Sequence, residues 1–431
     1  MIIGKTKSVC PVCLRVLDAQ KRSEKDGIYL DKRCDEHGAF SALIWEGNLA
    51  SYLRWNSENT AVDPPREGRA PEKGCPRDCG LCTEHLRKGC CMLLELTRRC
   101  NLRCPVCFAA AGKDTSGDLP LAEIEKQYDF LMAHGGPFNI QLSGGEPTVR
   151  DDLPQVIRMG REKGFPFFQL NTNGLRLARE PDYAERLAEA GLDIVFLQFD
   201  GTRDAIYETL RGAPLLEAKK EAIRVCGEKR IGVTLVPTVV RGVNDDDLGE
   251  IVRLACAMAP AVRAVHFQPV SFFGRYPEKP EDTDRYTLDR LMADLSEQAG
   301  IPLSSFMPSR CDHPLCGFHA DFLLEPSGAL RPLSSITHSA RSRGCARENR
   351  EYVARHWRRA PDEPAPEKPF SEEMDFDTFL YRLRHQSLTL SAMAFQDAMN
   401  LNLERLHRCS LHVYDGGKIK PFCAKYLSAW E

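Results

Sequence analysis

Cys100, Cys104 and Cys107 lie in ELTRRCNLRCPVCF, with three and then two residues between them. Thiolates spaced CxxxCxxC can hold an iron–sulfur cluster through three of its four irons and leave the fourth without a protein ligand. An open metal position marks a catalytic site, by the logic that separates open from closed zinc centres. The stretch QLSGGEPTVR follows at 141–150. Its paired glycines let backbone approach a ligand without a Cβ clash. Gly-Gly before Glu-Pro is also an ordinary turn, so its placement after the cysteine trio carries the signal.

The same spacing occurs earlier, at Cys75, Cys79 and Cys82 in GCPRDCGLC. That copy follows a Pro- and charge-rich stretch, whereas the later one follows the apolar run MLLELT (92–97), which reads as a buried strand. Pro105 disfavours a helix through the later trio, so those cysteines occupy a loop at a strand's C-terminal end, where β/α barrels place catalytic loops. Cys90 stands near the earlier trio and can close its cluster as a fourth ligand. The expectation is an open cluster on Cys100, Cys104 and Cys107 and a closed one on Cys75, Cys79, Cys82 and Cys90. Structural zinc is the competing reading at both places.

Acidic and basic residues nearly cancel, at a formal charge of −3, which gives no electrostatic basis for nucleic-acid binding. The N-terminus MIIGKTKSVC lacks a signal-peptide h-region, and no apolar run has membrane-spanning length. Eighteen cysteines in such a chain point to metal sites in a reducing cytoplasm rather than to disulfides. Exposed clusters further imply an oxygen-sensitive protein.

From 92 to 305 the chain alternates strand and helix signals. FNIQLS, FPFFQLNTNG, DIVFLQFDG, GVTLVPTVV and AVRAVHFQPV follow the first strand, each separated by a helical stretch, and TLDRLMADLSEQAG closes the series. Right-handed crossovers then give a parallel sheet. With Cys100, Cys104 and Cys107 and GGEP at strand ends, this region resembles the radical S-adenosylmethionine (radical SAM) superfamily. The resemblance implies an α/β fold, a partial (β/α)6 barrel. It implies a 4Fe–4S cluster whose open iron binds SAM, and a 5′-deoxyadenosyl radical that abstracts hydrogen from substrate. It assigns Gly144, Gly145, Glu146 and Pro147 to SAM, with the Glu146 carboxylate suited to the SAM amino group. Asn171 and Asn173 match the polar cluster that meets ribose and carboxylate, and Gln198 and Asp200 end the fourth strand among substrate or SAM contacts. Arg211 is either a bidentate partner of the SAM carboxylate or a helix-end surface cation.

The flanks are separate modules: 1–55 a metal ribbon, 56–91 a linker with the first auxiliary-cluster segment, 92–305 the core, and 306–431 an extension with a second auxiliary cluster. Cys10 and Cys13 (CPVC) with Cys34 and His37 (CDEH) resemble a zinc-ribbon or rubredoxin-like knuckle. His37 reads otherwise as a turn residue, and the sequence does not choose between zinc and iron. Cys311, Cys316, Cys409 and Cys423 are candidates for the second auxiliary cluster, with Cys345 a competitor. Cys91, Cys226 and Cys256 read as small buried hydrophobes. RAPDEPAPEKP (359–369) reads as a linker, and MDFDTFLYRLR and SAMAFQDAMNLNLERL show helical apolar spacing. Their aromatics read as core, or alternatively as the border of a greasy channel.

The order CPVC, CDEHG, GCPRDCGLC, CNLRCPVCF, CDHPLC and PFC resembles the tetraether lipid synthases and the class D radical SAM methylases. This implies two auxiliary 4Fe–4S clusters, one mononuclear Zn or Fe, and C–C bond formation by lipid-chain coupling or methylation. A flavodoxin or ferredoxin-type donor would supply electrons. The substrate would be a small molecule or a lipid, with peripheral membrane attachment if a lipid, although no amphipathic membrane helix is evident. A radical SAM peptide maturase and a non-catalytic multi-cluster electron carrier are the alternatives.

Overall fold

The computed structural model describes the chain except residues 58–61, 66–69, 71, 73, 79, 81, 113–116, 278–280, 310, 334–344, 362, 365–374 and 430–431. An N-terminal antiparallel sheet contains β1 (Ile2–Val9), β2 (Val16–Ser23), β3 (Ile28–Cys34) and β4 (Gly38–Trp45), in that order. The core is parallel, as expected. β5 (Cys91–Glu95), β6 (Asn139–Ser143), β7 (Phe167–Thr172), β8 (Ile194–Gln198) and β9 (Gly232–Val236) pair in sequence. The short β10 (Thr238–Val239) and β9 both pair with β11 (Val262–Pro269).

The strands divide their side chains between two faces with period two. Ile140, Leu142, Phe168, Leu170, Val195 and Leu197 join the hydrophobic core with residues of the crossover helices, such as Ile124 and Tyr128 of Leu121–Ala133. Asn139, Gln141, Gln169, Asn171 and Gln198 face the opposite way and line a cavity. Strands of a parallel sheet that is covered on both faces read as continuous apolar runs. These strands do not, because their inner face encloses polar space.

The C-terminal segment is woven into this sheet. β12 (Met307–Pro308), β13 (Gly317–Leu324) and β14 (Leu330–Pro332) form one antiparallel edge, and β15 (Ser387–Met393) inserts between β13 and β11, parallel to β11. At the other edge β16 (Leu411–Tyr414) runs parallel to β5, and β17 (Ile419–Pro421) pairs with β16. The helical spacing of MDFDTFLYRLR is realised in Phe376–His385. That of SAMAFQDAMNLNLERL is not: its start lies in β15, irregular chain follows, and only Leu403–His407 is helical. Alternate residues of β15 meet the barrel interior and the core, and tertiary pairing overrides the local period. The helix Ala346–Trp357 packs across the lower sheet. Its end lies so close to β9 that a Cβ on Gly232 would come within 2.7 Å of the Trp357 carbonyl oxygen. Within 359–369, residues 359–361, 363 and 364 are irregular and the others lie outside the described residues. No helix among the described residues is long and apolar enough to cross a membrane.

Candidate active site

Cys100, Cys104 and Cys107 lie on the loop after β5 and line one wall of a cavity of about 350 Å³. Several contacts hold this loop. Cys107 exchanges backbone hydrogen bonds with Arg275 (2.9 and 2.8 Å), and the Arg275 guanidinium donates to the carbonyls of Cys104 (2.8 Å) and Ala111 (3.0 Å). Gly274, at φ +73°, permits that approach, since a Cβ there would lie 2.2 Å from Phe108 O and 2.4 Å from Cys107 O. Such a backbone conformation is open to glycine at little cost. Arg99, just before the trio, is salt-bridged to Asp118. Burial pushes Cys100 up to about 12 and raises Cys104, so metal binding at the loop releases protons.

GGEP is fitted against this loop. Gly145 N donates to Thr97 O (2.7 Å) and Glu146 N to Arg99 O (2.9 Å). A Cβ on Gly144 would lie 2.3 Å from Thr97 O, and one on Gly145 2.1 Å from Arg99 O. Glu146 is buried. Its Oε1 accepts from Thr148 N, Thr148 Oγ1 and Thr172 Oγ1, and its Oε2 from Asn173 N at 2.7 Å. The carboxylate therefore fastens the loops after β6 and β7 together, and Pro147 starts the short turn that follows. Asn173 Nδ2 bonds Asn101 Oδ1 (2.7 Å), inside the cysteine loop. Asn171 accepts from Gln141 Nε2 (2.8 Å) and donates to Ser143 Oγ (3.3 Å).

Arg211 is neither a surface cation nor open to a ligand carboxylate through its fork. Nε and Nη2 meet Asp200 bidentately at 2.7 Å each, and Nη1 holds Val106 O of the cysteine loop (2.9 Å). Gln198 bonds Asp200 and accepts from Lys219 Nζ (2.7 Å), which also reaches Asn173 O (2.6 Å). Burial pulls Lys219 down to about 7. Lys219 carries no signal in the sequence, where it looks like any solvated lysine of an amphipathic helix. Asn139, Gln141 and Gln169 were not expected at the site, although their alternation with Ile140, Leu142, Phe168 and Leu170 was visible.

In the N-terminal sheet, the turn after β1 brings Cys10 and Cys13 to Cys34 and His37, and all four ligand atoms lie within 4.8 Å of one another. His37 Nδ1 is 3.7 Å from Cys10 Sγ and 3.5 Å from Cys34 Sγ, and Cys13 Sγ is 4.0 Å from Cys34 Sγ. Tetrahedral thiolates on one ion are about 3.8 Å apart, so the knuckle suits a mononuclear metal. Cys100, Cys104 and Cys107 do not converge to that span, which fits a larger group such as a four-iron cube.

The auxiliary cysteines group differently from the expected sets. Cys90 and Cys311 form a buried, interacting pair, with Ser410 Oγ 3.1 Å and Asn349 Nδ2 3.4 Å from Cys90 Sγ. Ala346, the neighbour of Cys345, packs on that pair. Cys75 interacts with Cys82, and its thiol converges with Glu84 and His407 within 4.8 Å; Cys79 lies outside the described residues. Cys316, Cys409 and Cys423 are near enough to influence one another's ionisation. Cys226 is core, Cys256 packs at its margin, and Cys91 reaches the cavity instead.

Fold and loop together define a radical SAM enzyme, which uses SAM and a 4Fe–4S cluster. The Radical SAM superfamily model matches residues 94–255, and the model described as the HMPTM N-terminal zinc ribbon domain matches residues 2–46. The chain is 32% identical to the 7,8-dihydro-6-hydroxymethylpterin dimethyltransferase of Methanocaldococcus jannaschii over 97% of its own length and 92% of that protein's. It belongs to the family of that protein. Over 34% of the chain and 36% of the relative it is 38% identical to the Fe-coproporphyrin III synthase of Methanosarcina barkeri. Among solved structures, Streptococcus suis SuiB bound to precursor peptide SuiA aligns with TM-score 0.42 at 14% identity, covering 68% of this chain and 71% of that one.

Proposed function

We propose that this enzyme methylates an unactivated carbon of a pterin-type heterocycle, forming a C–C bond. The observation that carries the reading is a cavity lined by Cys100, Cys104 and Cys107, by the carboxamides of Gln141, Gln169 and Asn171, and by the rings of Phe196, His266 and Trp357. Carboxamides beside aromatic rings complement a flat nitrogen heterocycle, whose edge needs hydrogen-bonding partners and whose faces are apolar. The pterin dimethyltransferase activity for which the Methanocaldococcus relative is named supports it. When bound, the cluster and SAM supply one-electron reductive cleavage and a carbon radical able to take hydrogen from an unactivated C–H bond.

The chain's own residues prepare the site. Gly144 and Gly145 keep side chains out of the contact between the GGEP turn and the cysteine loop. Glu146 joins the strand ends by its four accepted bonds, and Arg211 anchors the loop through Val106 O. Cys75, Cys79 and Cys82 with His407 are the proposed ligands of one auxiliary cluster, and Cys311, Cys316, Cys409 and Cys423 those of the other. Cys90 stands beside the second set. The N-terminal knuckle holds one Zn or Fe, and a flavodoxin or ferredoxin-type protein donates electrons.

Anaerobic reconstitution with SAM and dithionite should yield 5′-deoxyadenosine, absent in Cys104→Ala. About twelve irons per chain are expected for three four-iron clusters. Adding 7,8-dihydro-6-hydroxymethylpterin and excess methyl-labelled SAM, one molecule cleaved to methionine and 5′-deoxyadenosine and a second giving its methyl and leaving as S-adenosylhomocysteine with dithionite supplying the electrons, should give labelled, methylated pterin by mass spectrometry. Intact protein that forms no 5′-deoxyadenosine would exclude the radical reading, and 5′-deoxyadenosine with an unmodified pterin would exclude the substrate.

A further inference from the structure

Below the strand ends, the cavity is lined by two unlike groups of side chains. One is aromatic: the rings of Phe196 and Trp357 are 5.2 Å apart, and the His266 ring is 5.5 Å from Phe196 and 6.0 Å from Trp357. The other carries Gln141, Gln169 and Asn171 from adjacent strands. Most polar groups here are already tied down. Gln141 and Asn171 bond each other (2.8 Å), and His266 Nδ1 meets Ser391 Oγ (2.9 Å). Two groups stand out. Gln169 is only 4% exposed, lines the cavity, and makes no side-chain hydrogen bond among the described residues. Trp357 lines the cavity with its ring, while its Nε1 is closed off with no hydrogen-bond partner among the described residues. Buried polar groups are nearly always satisfied, and leaving one unmade costs more than a bond returns. An amide with a donor and an acceptor, beside a ring wall, is completed by a flat molecule with a mixed hydrogen-bonding edge and a π face.

We infer that this part of the cavity is the heterocycle subsite, in which Gln169 reads the ring edge while Trp357, with Phe196 and His266, receives the ring face. The inference rests on the pterin reading above and adds to it a location and two specificity residues. Burial pulls His266 down to about 4, so the wall is neutral and suits an uncharged ring. Trp357 enters from the helix Ala346–Trp357, outside the six-strand core. The subsite therefore exists only once that helix has closed the barrel floor.

The test uses the reconstituted full-length protein and the fluorescent probe 6-hydroxymethylpterin, titrated under anaerobic conditions with and without SAM. Wild type should bind saturably, quench the probe, and do so equally with SAM present. Gln169→Leu should weaken binding at least tenfold, and Trp357→Ala should weaken it and abolish most quenching. Trp357→Phe, which keeps the ring and removes the N–H, should fall between. Iron and zinc content identify any variant that fails to fold, and Trp357→Phe then carries the test. Saturable binding indifferent to both positions overturns the subsite and leaves the pterin reading standing. Displacement of the probe by SAM overturns it too, by assigning that part of the cavity to adenine. No saturable binding by wild type removes the subsite and the pterin reading together.

Discussion

At the scale of single residues, the site is held by charges that close on each other. Asp200 is fully buried and Arg211 is 7% exposed, so their bidentate pair sits where an uncompensated charge is costly. The pair also presents Val106 O, and with it the cysteine loop, at a fixed height. Removing one partner of such a pair typically destabilises by about 3–5 kcal/mol, whereas replacing both with apolar groups can be nearly neutral. Asp200→Ala should therefore lower the thermal midpoint markedly and reduce iron retention. Asp200→Leu combined with Arg211→Met should recover most of the midpoint but not the iron, because Val106 O stays unheld. Differential scanning fluorimetry and iron analysis on the three proteins would show it. Equal midpoints for single and double variants would contradict this account of the pair.

At the scale of elements, the cysteine loop is built by contact with chain far away in sequence. Gly274 is the clearest instance, since its missing Cβ admits Phe108 O and Cys107 O. Gly274→Ala should lose the iron of the radical cluster and its SAM cleavage while keeping the metal of the N-terminal knuckle; separate iron and zinc assays on a zinc-loaded sample would detect the split. The βα alternation was legible because each core strand and helix states its own period. The cysteine spacing and GGEP were legible because their ligands are consecutive or nearly so. β15 was not: its barrel-facing and core-facing residues gave a pattern that also suits a helix, and only its place beside β11 decides. The partners of Cys90 were hidden for a similar reason. Cys311 lies 221 residues away by numbering, and no local signal reports which distant thiol a strand will meet.

At the scale of the whole molecule, the C-terminal segment completes the barrel from both edges. β15 and β16 extend the parallel sheet beyond β11 and β5, and the chain then turns so that Phe422 and Tyr426 pack on Phe108 of the cysteine loop. Phe108 lies 5.7 Å from Phe422 and 5.1 Å from Tyr426, ring centre to ring centre, and Tyr426 OH donates to Glu95 Oε1 at 2.8 Å. An aromatic pair of this kind contributes about 0.5–1.5 kcal/mol beyond its area, and here that contribution couples the C-terminal turn to the strand end that launches the cluster. Tyr426→Ala touches no cysteine, so cluster composition should survive under anaerobic conditions. Exposed to air, however, the variant should bleach several times faster than wild type, because water and oxygen reach the loop past the lost ring. Phe108→Ala should act similarly, and the two together should cost less than their sum, as expected for residues in contact. The absorbance decay of the iron–sulfur band in air-saturated buffer reads this directly. Strictly additive effects, or decay rates equal to wild type, would mean that the C-terminal turn does not guard the loop.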